Sequence, residues 1–284
     1  MMQIGAKGTP AFRWHPTHLS IGPFLLWAIG ISTLLLVRII VRTPQEYAST
    51  VNFILPLIDF AYIIGAVFAV LQSGGKISDL GITHRYGPLA LAIGLLVSFA
   101  IMGFCSLDSR FAGNIQTTAE PIVTIVFILS GAFHVFAEEV LFRGYFVGRL
   151  SKDFGWVPAI IISGIAYGLA PFAFLGADPL SIQQIAEIGV FFKTVFPAVT
   201  ILGIFLAFVY RASGTLVTTW FGVTLSIWAL GFIKGGFGVN PSFPIFALFG
   251  YIALIIAIIW LIIVIMQHFG HKPLNIEDIK HIVD

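Results

Sequence analysis

Long apolar runs, broken by short polar or glycine-rich stretches, dominate the pattern along the chain. A helix needs about 20 apolar residues to cross the ~30 Å hydrocarbon layer. Eight runs meet or approach that length, at about 21–41, 51–72, 88–107, 121–147, 156–175, 190–210, 215–233 and 243–267. The breaks hold residues that end helices. Arg42-Thr43-Pro44-Gln45-Glu46 is polar with a proline, and Gln72-Ser73-Gly74-Gly75-Lys76 is a turn cluster. Lys234-Gly235-Gly236-Phe237-Gly238 is glycine-rich but follows no predicted strand, so it does not read as a phosphate cradle. The pattern predicts an all-α polytopic membrane protein, a single bundle of about eight transmembrane helices. Its membrane domain covers 21–267, between a cytoplasmic segment at 1–20 and a cytoplasmic tail at 268–284. No internal repeat or low-complexity tract interrupts it.

Composition agrees with this pattern. Hydrophobic residues make up 58% and charged residues 10% of the chain, against about 25% charged in soluble domains. The net charge of +2 gives no reason to expect nucleic acid or a strongly acidic partner. The single cysteine, Cys105, excludes an internal disulfide and a cysteine-based zinc site; it reads as a buried, inert thiol. Residues 1–20 are polar and aromatic and lack the features of a cleaved signal peptide, so the first span is expected to remain in the mature protein. With eight spans, nine cationic residues fall on the side of the two ends (Lys7, Arg13, Lys76, Arg85, Arg149, Lys152, Arg211, Lys272 and Lys280). Four fall on the other (Arg42, Arg110, Lys193 and Lys234). The positive-inside rule then places both termini in the cytoplasm, in a bacterial-type inner membrane.

The candidate chemistry lies within the spans. Glu138, Glu139 and Arg143 end the fourth apolar run, although a charge at the centre of a membrane helix costs ~3 kcal/mol on insertion scales. Ile122 to Ala137 covers about 24 Å of helix at ~1.5 Å per residue, which places Glu138 near the cytoplasmic edge of the hydrocarbon. Glu139 and Arg143 are i and i+4 in the favourable acid-first order, so they can neutralise each other. Glu138 is turned about 100° away and shares a face with His134, four residues earlier. A carboxylate so placed either joins an ionic knot between helices or holds a water as a general base. Asp59 in the second span and Arg38 near the end of the first are expected to pair across their hairpin, on the opposite leaflet from Glu138. The other histidines, at 15, 18, 84, 268, 271 and 281, fall in termini or loops without metal-ligand spacing. No metal or cofactor is predicted.

At Glu138-Glu139-x-x-x-Arg143-Gly144 the chain resembles the CAAX-protease and bacteriocin-processing (CPBP, or ABI) family of intramembrane glutamic proteases. The surroundings are similar too: Phe142, Tyr145-Phe146, and Phe154-Gly155-Trp156-Val157-Pro158-Ala159 opening the next helix. The resemblance runs over about 121–232. It implies that Glu138 activates water while donors from two further motifs, F-x-x-x-H and H-x-x-x-N, bind the scissile carbonyl and its oxyanion. This chain departs from both. The second motif reads Tyr167-Gly168-Leu169-Ala170-Pro171, with proline in the histidine position. Counting on from Arg211-Ala212-Ser213-Gly214-Thr215-Leu216, the third has Val223 and Ile227 for the histidine and asparagine. No histidine or asparagine occurs anywhere between 135 and 239. Each lost oxyanion donor typically costs about 10²–10³ in rate. Tyr167, Ser163, Thr224, Ser226 and His134 are the nearest substitutes.

Three functions follow as expectations. The first is a pseudoenzyme: a CAAX-protease-like subunit or assembly factor of a membrane complex, with lipid and other integral membrane proteins as partners. Gly144 and Gly148, and again Gly231 and Gly235, would allow close helix contacts. The second is an active endopeptidase acting on prenylated or leader-peptide substrates through Glu138. The third is a pigment- or cofactor-binding subunit with His134 as axial ligand.

Overall fold

The computed structural model describes residues 10–41, 44–83, 87–106, 121–174 and 188–235. All regular structure among them is helical. A 3₁₀ turn, His18–Ile21, leads into α1, Gly22–Ile40; α2 follows at Pro44–Gln72. After a second 3₁₀ turn, Ile77–Leu80, come α3, Gly87–Ser106, and α4, Pro121–Glu139. From α4 the chain runs through a π-helical segment, Val140–Val147, into α5, Gly148–Phe154. Then follow α6, Trp156–Leu169, a 3₁₀ turn at Ala170–Phe174, a π turn at Phe191–Val195, α7, Phe196–Ser213, and α8, Leu216–Gly235.

Among the described residues, four helical stretches are long and apolar enough to cross a membrane: His18–Ile40, Thr50–Gln72, Trp156–Ala173 and Ile188–Ser213. Two shorter apolar stretches, Leu89–Ile101 and Leu216–Ile227, accompany them. The chain is an integral membrane protein of helices. The predicted eighth span, 243–267, and the tail lie outside the described residues.

Proline and glycine set the local boundaries. Proline opens α2 and α4 and stands in the first turn of α1 and α7, where its missing N–H costs nothing. Gly214 ends α7 in the left-handed conformation (φ 71°), its N–H reaching the Tyr210 carbonyl at 2.8 Å. Gly155, at φ 86°, makes the turn from α5 to α6.

By contacts the chain divides into two compact units, 1–94 with 119–224 and 95–118 with 225–284. In the first unit α6 packs most extensively on α7. Gly164 and Gly168 of α6 make this possible: a Cβ on Gly168 would collide with the Thr200 side chain and meet the Thr200 nitrogen at 3.0 Å. A Cβ on Gly203 of α7 would meet the Gly164 Cα at 3.0 Å. Helix α2 packs on α1, α4 and the π segment. Gly144 and Gly148 serve packing inside this unit; a Cβ on Gly144 would meet the Leu80 carbonyl at 2.8 Å. Gly231 and Gly235 lie beyond the residues whose packing is described.

Residues 10–20 are tied to the α5–α6 junction. The Arg13 and His15 amides donate to the carbonyls of Phe154 and Asp153, and those of Trp156 and Val157 donate to Pro10 and Ala11. The Asp153 carboxylate accepts from Thr17, Ser20 and Arg149. In the second unit the Ser226 hydroxyl donates to the Ser98 hydroxyl at 3.2 Å.

Candidate functional site

The two carboxylates at the end of α4 occupy different environments. Glu139 and Arg143 form the i,i+4 pair expected from spacing, Oε1 to Nη1 at 3.3 Å, with side chains 1% and 0% exposed. The contact is ionic. Glu139 Oε2 and all three guanidinium nitrogens carry no hydrogen bond among the described residues. The guanidinium instead lies over the Tyr167 ring, 4.2 Å from its centroid. Electrostatic attraction to the ring face offsets part of the desolvation of the cation.

Glu138 is the accessible carboxylate, 19% exposed. Its Oε1 lies 3.6 Å from Nε2 of His134, the residue predicted to share its face. His134 uses its other nitrogen on Asp59, Nδ1 to Oδ1 at 2.9 Å. Asp59 is almost completely buried, so this contact ties α2 to α4.

The Asp59 contact corrects the expectation from sequence. Asp59 faces His134 and is linked through it to Glu138, so it is not confined to the opposite leaflet from that carboxylate. The reason is where α2 begins. The helix opens at Pro44, so Asp59 stands fifteen residues along it, about 22 Å at ~1.5 Å per residue. His134 stands thirteen residues along α4, about 20 Å on the same rise. Starting the second span at 51 had left Asp59 too shallow by roughly two turns. Proline at a first helical position was the available signal. Arg38 is buried too.

The π-helical segment starts directly after Glu139 and keeps all eight of its residues buried. Its wider turn shifts the ladder, and the Phe142 carbonyl accepts a hydrogen bond from the Ser163 hydroxyl of α6 at 2.7 Å. No pattern of apolar residues announces such a segment. From α8, the Trp220 indole donates to the Ala132 carbonyl of α4 at 2.8 Å, and Phe136 packs edge-on against its ring. The Thr218, Thr224 and Tyr210 hydroxyls are buried in this unit without hydrogen bonds among the described residues.

Of the positions where the resemblance implies imidazole or amide donors, Pro171 lies in the 3₁₀ turn after α6. Val223 is buried in α8 within the first unit, while Ile227 belongs to the second unit and is exposed. Among the described residues, no group of three His, Cys, Asp or Glu side chains is placed to hold a metal ion.

The helices and this buried acid–arginine motif define the class: a polytopic helical membrane protein with an ionic site at the end of one helix. Residues 120–222 match the family model described as Type II CAAX prenyl endopeptidase Rce1-like. The stretch that carries the Glu-Glu-x-x-x-Arg motif is of the CAAX-protease (CPBP) family, and the protein is CAAX-protease-like. No curated protein and no solved structure matches the chain.

Proposed function

We propose that the protein is a catalytically inactive CAAX-protease-like membrane protein, serving as a subunit or assembly factor of a membrane protein complex. The observation that supports this best is that three of the five substitute donors are already engaged, while the Thr224 hydroxyl is buried without a hydrogen bond among the described residues. Ser163 is committed to the Phe142 carbonyl, Tyr167 lies under Arg143, and Ser226 bonds Ser98 in the other unit. The aligned positions of the second and third motifs hold Pro171, Val223 and Ile227, which carry no polar side-chain atom. Acyl transfer needs donors at the developing oxyanion as well as a base. In this reading the acid–arginine pair is structural, both termini face the cytoplasm of a bacterial-type inner membrane, and the partners are other integral membrane proteins.

The test is purification in mild detergent followed by mass spectrometry of co-eluting chains, alongside a peptide-cleavage assay. A stoichiometric partner, no cleavage, and an unchanged cellular phenotype in Glu138→Gln are expected. Cleavage that disappears in Glu138→Ala would overturn the reading.

One observation favours a second reading, an active glutamic endopeptidase with Glu138 as general base. His134, oriented by Asp59, stands beside the more exposed carboxylate of the pair. It would act on the prenylated or leader-peptide substrates that the resemblance implies, and the same cleavage assay decides it. The pigment-binding reading has less support, since both ring nitrogens of His134 face carboxylates.

A further inference from the structure

A small cavity opens where the start of α1, the end of α2 and α5 meet. Independently of the reading above, we infer that it is a binding site for the phosphodiester group of a membrane phospholipid. Besides Ser73, whose hydroxyl donates to the Val70 carbonyl at 2.8 Å, three donor-bearing side chains line it. The Tyr145 hydroxyl carries no hydrogen bond among the described residues, and the Lys152 ammonium is exposed and forms no ion pair among them. The third is Arg149. Its Nη2 donates to Thr17 and to both Asp153 oxygens at 2.6–3.1 Å, which holds the guanidinium in place. Its Nε stays buried without a hydrogen bond among the described residues. Gly144 and Gly148, lacking side chains, complete the lining.

The size and charge select the ligand. The cavity encloses about 30 Å³, room for two water-sized groups at the ~10–15 Å³ each requires. The two non-bridging oxygens of a phosphodiester need that much. Asp79 also lines the cavity, with one oxygen accepting the Lys76 amide at 3.1 Å. A carboxylate there disfavours a dianion, so a singly charged diester suits the site better than a phosphate monoester or free phosphate.

The position selects a lipid as the source. The cavity lies at helix ends, with Lys76 bonded through its amide to the lining Asp79 and Arg13 bonded to the end of α5 at Phe154, cationic residues of the kind that meet headgroups. Ala69 and Val70 form its α2 wall, and on α2 an exposed stripe of Ile64, Phe68 and Leu71 ends beside that wall. Those residues recur at i, i+4 and i+7, one helix face along which an acyl chain can lie.

The test is native mass spectrometry of the full chain released from detergent and titrated with phosphatidylglycerol. A single saturable adduct is expected. It should weaken about tenfold in Tyr145→Phe/Lys152→Ala, which loses a hydroxyl donor and a charge, and also in Gly148→Leu, which fills the cavity. A diacylglycerol bearing glucose instead of phosphate should give no saturable adduct, and millimolar inorganic phosphate should not displace the lipid. Wild-type affinity in the double variant would overturn the site. Equal binding of the glucolipid would overturn phosphate recognition, and displacement by inorganic phosphate would overturn the lipid source. If Gly148→Leu fails to fold, the double variant, which removes no buried charge, still decides.

Discussion

Replacing Arg143 with methionine tests what holds the ionic motif in the membrane. The side chain is fully buried, and its ionic contact is with Glu139, which is itself 1% exposed. Removing one member of a buried pair costs ~3–5 kcal/mol, because the other charge stays desolvated and uncompensated. The substitution also removes the guanidinium from the Tyr167 ring at 4.2 Å, a contact worth ~2 kcal/mol when desolvated. Arg143→Met is therefore expected to cost ~5 kcal/mol, near the top of the range for broken pairs. Glu139→Gln keeps the volume and leaves the cation on Tyr167, so it should cost ~3 kcal/mol. The double variant buries no charge at this pair, and should be no less stable than Arg143→Met alone. That amounts to a coupling of at least ~3 kcal/mol. Unfolding by SDS in mixed micelles, followed by tryptophan fluorescence, reads the cycle; Trp156 and Trp220 both pack inside the unit that holds the pair. Additivity within ~0.5 kcal/mol would show that the two charges do not depend on each other, and would refute the reasoning.

The same unfolding measurement checks three further outcomes. Asp59→Asn and His134→Ala should couple by ~1–3 kcal/mol, as a hydrogen bond to a charged group requires; independent effects would argue against the α2–α4 contact. Ser163→Ala leaves the Phe142 carbonyl of the π segment without its 2.7 Å donor and should cost ~1–2 kcal/mol, while Ser163→Thr keeps a hydroxyl and should recover part of it. Gly168→Ala forces a methyl against Thr200 at the α6–α7 contact and should cost ~1–3 kcal/mol; Ile161→Ala, on the exposed face of the same helix, should cost well under that because little buried contact is lost.

Much of the architecture was legible in the order of residues. Hydrocarbon thickness and helical rise set the length of an apolar run, so runs at about 21–41, 88–107 and 156–175 translate directly into helices at Gly22–Ile40, Gly87–Ser106 and Trp156–Phe174. Spacing within a helix is also a local property. It therefore paired Glu139 with Arg143 and set His134 beside Glu138, since i and i+4 share a face wherever the helix lies. Contacts between helices lie outside that reach. That Asp59 meets His134, that Tyr167 receives Arg143, and that Ser163 supports a π segment all depend on the relative depth and rotation of separate helices. Those are set by how α2, α4 and α6 pack, with glycines such as Gly164 and Gly168 allowing the closest approach. The sequence by itself determined which helices form and which charges are neighbours along one of them; only the tertiary structure decided which charges meet across helices, because side-chain contact between separate segments is a property of packing and not of spacing.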